Sequence, residues 1–240
     1  MPAKPASPVL QTSHPLHSIL AACWPLCEGT GATLTDIVGG KNLTTTGTWS
    51  TGASGPQQNF SGSQNAVSNA SDLFAAAQLV RGSIEVWLAT NTSQNGKYIF
   101  ANEGWIGVEQ NGSIGRAFSD GNPTYATGTS NIADGNLHQL VYTWDNSPLS
   151  GKFYTDAALQ GSCTPANAPL LDSTSRVLAL ASQFNSTAHW TGSVVAVKLY
   201  NAPLSQAQIT TEYADPWAIF TPGGAASGLL MARRRIALSC

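Results

Sequence analysis

The sequence predicts an all-β fold, two antiparallel sheets packed face to face as a sandwich or jelly roll, with one short C-terminal helix and extended arms at both ends. Three observations predict it. Apolar and polar residues alternate with period two through the middle of the chain, the pattern of strands with two distinct faces. Turn signals interrupt that alternation at short intervals. Charged residues make up only 10% of the chain, and 23 Gly and 13 Pro stand among its 240 residues, a turn-rich composition set against the usual ~25% charged. A chain of this length buries one large β core or two small ones.

Residues 1–17 hold four prolines in their first fifteen positions. Such a segment is extended and cannot pair at the centre of a sheet. Residues 18–213 form the body. Ile84, Val86 and Leu88 face one way, with Glu85 and Trp87 opposite. His138, Leu140, Tyr142 and Trp144 alternate with Gln139, Val141 and Thr143, and Val195, Val197 and Leu199 alternate with Val194, Ala196, Lys198 and Tyr200. Gly39-Gly40, Ser54-Gly55-Pro56, Asn95-Gly96, Asn111-Gly112, Asp120-Gly121-Asn122-Pro123, Asp134-Gly135 and Ser150-Gly151 mark the turns. Asn-Gly and Asp-Gly tolerate the positive φ of tight hairpins. Ser205-Gln206-Ala207-Gln208 reads as a capping box, with Leu204 and Ile209 placed for a hydrophobic staple. The helix should run from about Gln206 to Tyr213 and stop before Pro216. Residues 214–240 form a tail with Trp217-Ala218-Ile219-Phe220, then Pro222-Gly223-Gly224, then an apolar, arginine-rich end.

The formal net charge is −2. Arg233, Arg234 and Arg235 supply three of the eleven cations, so the body is mildly acidic and the extreme C-terminus basic. A nucleic-acid partner, which needs a basic face, is not expected. Nor is membrane insertion, because no run approaches ~18 apolar residues. Cys23 and Cys27 on one strand would sit ~13 Å apart, too far for a disulfide. With Cys163 and Cys240 they read as reduced packing residues. His14, His17, Cys23 and Cys27 match no usual zinc spacing. Leu20-Ala21-Ala22-Cys23 is similar to a lipoprotein cleavage box, but His14, Pro15 and His17 interrupt the apolar run it needs. The six N-x-S/T sequons, at Asn42, Asn59, Asn69, Asn91, Asn111 and Asn185, are what a chain rich in Asn, Ser and Thr produces by chance.

The order of segments resembles the LamG-like jelly-roll family of the concanavalin A-like lectin/glucanase group. Trp24-Pro25-Leu26 with Glu28-Gly29-Thr30-Gly31 is similar to the family's opening strand and turn, and Asp36 with Gly39-Gly40-Lys41-Asn42 to its D-x-x-G-x-x-N turn. Trp49, Gly55, Phe60-Ser61-Gly62 with Ala66-Val67, Gly82 to Leu88, Asp134 to Val141 and Tyr154-Thr155-Asp156 follow in the family's order. Thr191 to Asn201, Pro203-Leu204-Ser205 and Ile209 to Tyr213 resemble its closing strand and short helix. Together these matches span roughly residues 20–213. The resemblance implies two packed sheets of about a dozen strands.

It also implies three kinds of chemistry to look for. Glycosidases of the wider group carry two carboxylates on one face of one strand, ~5–5.5 Å apart in a retaining enzyme. Here Glu85 stands alone, and Glu103 and Glu109, six apart, would lie ~20 Å from each other on a strand. No nucleophile elbow or phosphate loop occurs. His138 is expected in or beside the core, and His189 in a loop. The expectation is therefore no enzyme. Many relatives bind calcium through loop carboxylates and carbonyls; Asp36 is the matching aspartate, which Asn42 or the neighbouring carbonyls could join. Ser61 and Asn65 stand where relatives often carry aspartates, and Asp36 also reads as a turn-forming residue. For glycans, Trp105, Asn111, Asp120, Asn122 and Tyr125 supply aromatic faces and amide or carboxylate groups. Asparagine also fills turns for backbone reasons, and Trp105 beside Ile106 and Val108 also fits a strand.

Proline-rich and glycine-rich ends order only when something holds them, most simply a neighbouring chain. Trp217 and Phe220, with Leu229, Leu230, Arg233, Arg234 and Arg235, are the candidate assembly residues. Trp217 and Phe220 are expected to fold back onto their own sandwich, and residues 225–240 to dock on a neighbour. The segment Tyr213 to Phe220 also resembles closing segments of LamG-like proteins of tailed phages. The function this implies is a virion structural protein, a decoration or tail-fibre component. Its partners would be other virion proteins, further copies of itself and surface glycans, and it would assemble in the host cytoplasm. A stand-alone lectin domain and a polysaccharide hydrolase are the alternatives.

Overall fold

The computed structural model describes residues 2–68, 81–102, 106–118, 124–165, 178–183 and 188–221. In chain order the strands are β1 (Leu20–Trp24), β2 (Thr33–Leu34), β3 (Leu43–Thr45), β4 (Thr48–Gly52), β5 (Gly55–Ser61), β6 (Ala66–Ser68), β7 (Arg81–Ala89) and β8 (Gln94–Asn102). They continue with β9 (Ile106–Gly112), β10 (Ile114–Phe118), β11 (Ala126–Asn131), β12 (Leu137–Asn146), β13 (Leu149–Thr155), β14 (Ala158–Cys163), β15 (Leu178–Leu180) and β16 (Thr191–Tyr200). One α-helix, α1 (Gln206–Ala214), follows among the described residues.

Two antiparallel sheets result. The first has the order β14-β13-β12-β7-β16-β5-β4, with β1 also paired to β16. The strand β16 shares one edge between two partners: Val194 lies opposite Gln58 of β5, and Val197 opposite Trp24 of β1. The second sheet has the order β11-β10-β9-β8-β15-β6-β3-β2. This is the jelly-roll sandwich that the alternation predicts.

The main core lies between the sheets. Leu140, Tyr142, Trp144 and Phe153 project into it from the first sheet, and Val108, Ala117, Ala126 and Leu180 from the second. Gly115 leaves room for the Phe153 ring, which would sit 2.7 Å from a Cβ there. A buried amide network ties the layers. Trp190 Nε1 donates to Gln110 Oε1 at 2.7 Å, and Gln110 Nε2 donates to the carbonyls of Thr92 and Gly112 at 2.8 and 2.9 Å.

A second, smaller core covers the outer face of the first sheet. Trp87, Val141, Tyr154 and Val195 pack there against Leu16, Leu204, Ile209, Trp217, Ile219 and Phe220. The capping box forms as expected: Ser205 Oγ accepts from Gln208 N at 3.3 Å, and Gln208 Oε1 accepts from Ser205 N at 2.8 Å. Leu204 and Ile209 are both buried beneath it.

The proline-rich N-terminal segment corrects one expectation. It is laid along its own chain and needs no neighbour to hold it. Gln11 N donates to Ile219 O at 2.8 Å, Thr221 N to Val9 O at 2.8 Å, and Leu10 bridges Phe220. Trp217 Nε1 donates to Pro2 O at 3.0 Å. The Lys4 ammonium donates to the carbonyls of Leu26, Pro56 and Val195. Burial lowers its pKa to about 8. Trp217 and Phe220, 6% and 3% exposed, do fold back as expected. Both rings are packed within their own chain. Leu229, Leu230, Arg233, Arg234 and Arg235 lie outside the described residues.

Candidate functional site

The outer face of the second sheet carries a row of aromatic and charged side chains. It follows from one hairpin. Gly112 has φ +68°, while Ser113 does not adopt positive φ. A Gly-Ser loop of this kind is a type II′ turn, and it sets Asn111 opposite Ile114 and therefore Glu109 opposite Arg116. Tyr98 of β8 lies opposite Glu109 on its other side. Arg116 Nε donates to Glu109 Oε1. The Arg116 guanidinium also sits 3.8 Å above the centre of the Tyr125 ring, a cation–π contact.

Phe118 closes the row. Its ring lies edge-on to Tyr98 at 6.1 Å and to Tyr125 at 5.5 Å. It reaches over Gly107, where a Cβ would come within 2.5 Å of it. Glu109 is 1% exposed. Burial pushes its carboxyl pKa up, and Arg116 opposes that shift. Burial and the neighbouring Glu109 carboxylate push the Tyr125 hydroxyl up to about 12. Tyr98 and Tyr125 remain partly exposed at the rim.

Of the five expected glycan residues, this face brings together two. Asn111 lies two positions along β9 from Glu109 on the same face, and Tyr125 lies over Arg116. Trp105, Asp120 and Asn122 lie outside the described residues, as does Glu103. Tyr98, Glu109 and Arg116 were not foreseen as part of the site.

The two described carboxylates weighed for hydrolysis do not converge. Glu109 is bound to Arg116 on the second sheet. Glu85 is fully buried on the outer side of the first, where it accepts from Trp87 Nε1 at 2.7 Å, Gln139 Nε2 at 3.1 Å and Tyr200 Oη at 3.0 Å. Lys198, also fully buried, completes this network with Glu85 at 3.5 Å, with Glu212 of α1, and with Pro216 O at 2.8 Å. Burial alone would pull the Lys198 ammonium down, but Glu212 and Glu85 outweigh it and hold its pKa above the usual range. Burial pushes Glu212 up to about 7. This is a structural lock between sheet and helix. Its sequence signal is the pairing of a lysine and a glutamate within otherwise apolar strands.

Asp36 with Asn42 does not fit calcium. Asp36 Oδ1 accepts from Cys23 N at 2.8 Å and Val38 N at 3.0 Å, and Oδ2 from Gly39 N and Lys41 N, both at 3.0 Å. Asn42 Oδ1 accepts from Asp36 N at 3.0 Å. Four amide hydrogens converge on the carboxylate where a cation would need open oxygens. Asp36 therefore acts as the turn-forming aspartate. Among the described residues no three His, Cys, Asp or Glu side chains are grouped to hold a metal. Among the described residues Cys23 and Cys27 form no disulfide. His138 does lie beside the core, 8% exposed, but with an unforeseen clamp: Nδ1 meets Asp156 Oδ2 at 2.7 Å and Nε2 meets Asp134 Oδ1 at 3.0 Å. His189 bridges Tyr98 next to the aromatic row.

Two facing antiparallel sheets with a short closing helix are the architecture of a concanavalin A-like domain. The family model described as the concanavalin A-like lectin/glucanases superfamily, Laminin_G_3, matches residues 60–210, and the chain belongs to that family. Solved structures share the fold at low identity. Domain 4 of the arabinanase AbnA from Geobacillus stearothermophilus, in complex with arabinotriose, superposes with TM-score 0.62 at 15% identity, over 80% of this chain and 97% of that one. The binding domain of Paraclostridial Mosquitocidal Protein 1 gives 0.67 at 10% identity, over 82% of this chain and 52% of that one. Trypanosoma rangeli sialidase in complex with sialic acid gives 0.58 at 16% identity, over 85% and 34%. This chain thus spans about half or less of the latter two. No curated protein sequence matches it.

Proposed function

We propose that this chain is a non-catalytic adhesion module of a virion surface, which contacts glycans through the Tyr98–Arg116–Tyr125 face. The observation that carries the glycan part is the outward row itself. Tyr98 and Tyr125 offer partly exposed rings at its rim, and a pyranose stacks on such rings. Glu109 and Arg116 neutralise each other, which suits a ligand of hydroxyls over a charged one. Asn111 adds an amide donor and acceptor on the same face. The fold neighbours include an arabinanase domain in complex with arabinotriose and the binding domain of a mosquitocidal protein, which supports a binding role for this architecture. The separation of Glu85 from Glu109 on different sheets supports a role without glycoside hydrolysis.

A glycan array tests this reading. Binding that falls at least tenfold in Tyr125→Ala and Arg116→Ala is the expected result, and an array without hits overturns it. The virion part rests on the resemblance of residues 213–220 to phage closing segments. With residues 2–17 and 217–220 committed to their own chain, assembly falls to residues 225–240. Deleting them should abolish incorporation into particles; unchanged incorporation overturns the assembly role.

A further inference from the structure

The strand β4 is the open edge of the first sheet. It pairs with β5 on one side, in register from Thr48 opposite Asn59 to Gly52 opposite Gly55, and no bulge interrupts it. Pro56 fixes which of its backbone groups face outward. Proline has no N–H, so Thr51 and Pro56 form a non-hydrogen-bonded pair. Alternation then turns the N–H and C=O of both Thr51 and Trp49 away from β5. Pro56 O likewise turns away from β4, where it accepts from Lys4 Nζ. Among the described residues, none of the four outward groups of Trp49 and Thr51 has a hydrogen-bond partner.

The other edges are closed or short. The end strands β11 and β14 lie against each other. A Cβ on Gly161 would come within 2.4 Å of Thr127 O, and Gln160 Oε1 accepts from the amides of Thr129 and Ser130, both at 3.1 Å. The end strand β2 is two residues long. The strand β1 gives its free side to the Asp36 turn: Cys23 N donates to Asp36 Oδ1 at 2.8 Å, and Cys23 O accepts from Ile37 N at 3.0 Å. By contrast Thr48, Ser50 and Thr51 of β4 are exposed. This edge lacks the usual guards against pairing, since it holds no lysine, proline or bulge. No charged residue occurs anywhere from Thr48 to Ser61.

We propose that β4 docks a second copy of this chain, the two strands pairing antiparallel about a twofold axis through Ser50. Trp49 of each copy then lies opposite Thr51 of the other. Four hydrogen bonds form, and they use every outward group of both residues in both chains. On the outer face Ser50 meets its counterpart. On the core side Thr51 meets the Trp49 side chain, whose ring is held in place by donating from Nε1 to Gly31 O at 2.7 Å. An aromatic residue opposite a β-branched one is a favourable cross-strand pair. Self-pairing sets any charge near the axis against its own like, and this hairpin has none to repel. A charged foreign peptide would find no complementary charge along it, whereas a copy needs none. Five residues a side make a small interface, so the contact belongs to the weak, reversible class.

Sedimentation equilibrium of the full chain, from micromolar concentration to about 1 mM, tests this. A monomer–dimer equilibrium with Kd on the order of 0.1 mM is expected. Thr51→Pro removes an N–H that the fold itself leaves unused and deletes two of the four bonds, so it should weaken the dimer about tenfold or more. Ser50→Lys sets two ammonium groups side by side at the axis and should weaken it in the same direction, with part of the loss recovered in about 1 M salt. Amide exchange at Trp49 and Thr51 should slow as the native chain is concentrated and should not in Ser50→Lys. Deleting residues 225–240 should leave the dimer intact, which separates this contact from the assembly role of the tail. A chain that stays monomeric at about 1 mM overturns the proposal. So does a dimer that neither substitution weakens, or one that vanishes with residues 225–240. Should Thr51→Pro fail to fold, Ser50→Lys decides alone.

Discussion

His138 sits between two carboxylates, one from each of two turns. Asp134 belongs to the Asp134-Gly135 turn that precedes β12, and Asp156 to the turn between β13 and β14, where Asp156 and Ala157 have φ of 50° and 63°. The hydrogen bond that the imidazolium donates to Asp156 raises the His138 pKa to about 8, with burial pulling the other way. The amide of Asn136, then His138, hold Asp134 down to about 2. The folded value of His138 lies above its ordinary 6.5, so the clamp's stability is complete below about pH 6.5 and is lost as pH rises through 8. Asp134 acts in the opposite sense: its share is present above about pH 4 and lost as pH falls toward 2. At 1.36 kcal/mol per pKa unit, and with partners about a third exposed, the histidine contributes about 1–2 kcal/mol. Urea unfolding at pH 6 and pH 9 should show that loss in the native chain and not in His138→Gln. Equal pH dependence in the two would mean that the imidazolium stabilises nothing.

At the scale of elements, α1 was legible because its signals are local: cap, box and staple lie within six residues. The partner of its inner face was not. Lys198 reads as one polar position in an apolar strand, and Glu212 as a solvated helix residue. Only the register, which puts Lys198 opposite Glu85, and the seating of α1 bring the three groups together. The aromatic face of the second sheet shows the same limit. Read as the two central residues of a hairpin, Asn111-Gly112 would pair Glu109 with Ile114. The observed Gly112-Ser113 loop shifts the register by one residue at the turn and pairs Glu109 with Arg116. Such a slip is invisible to alternation alone. The lock under α1 also sets a stability cost. Lys198→Met leaves Glu85 and Glu212 buried without a cation and should cost about 3–5 kcal/mol. Adding Glu212→Gln to that variant should restore part of the loss, because one uncompensated carboxylate disappears. Chemical denaturation of the three chains measures both steps; a double variant no more stable than the single would show that Glu212 is already neutral once Lys198 is gone.

For the whole molecule, the alternation and turn spacing foretold both sheets, since a buried face imposes its period on every long strand. The second core was illegible for a different reason. Its parts come from opposite ends of the chain, and nothing local in Pro2, Lys4 or Leu10 names Trp217, Ile219 and Phe220 as neighbours. Their union makes the N-terminal segment part of the folded unit, with the Lys4 ammonium 5.8 Å above the Trp217 ring as well as bound to three carbonyls. Removing residues 1–16 should therefore uncover Trp217 and Phe220, whose burial stabilises by roughly 1.5–3 kcal/mol each. If half of that is lost, about 1.5–3 kcal/mol, the thermal midpoint of a domain this size falls by about 3–12 °C. Lys4→Ala, which keeps the segment's length, should lower it less and in the same sense. Light scattering of the truncated chain should show association through the uncovered apolar surface. A truncated chain that stays monomeric with an unchanged midpoint would mean that the first sheet's outer face is held by α1 and residues 215–221 alone.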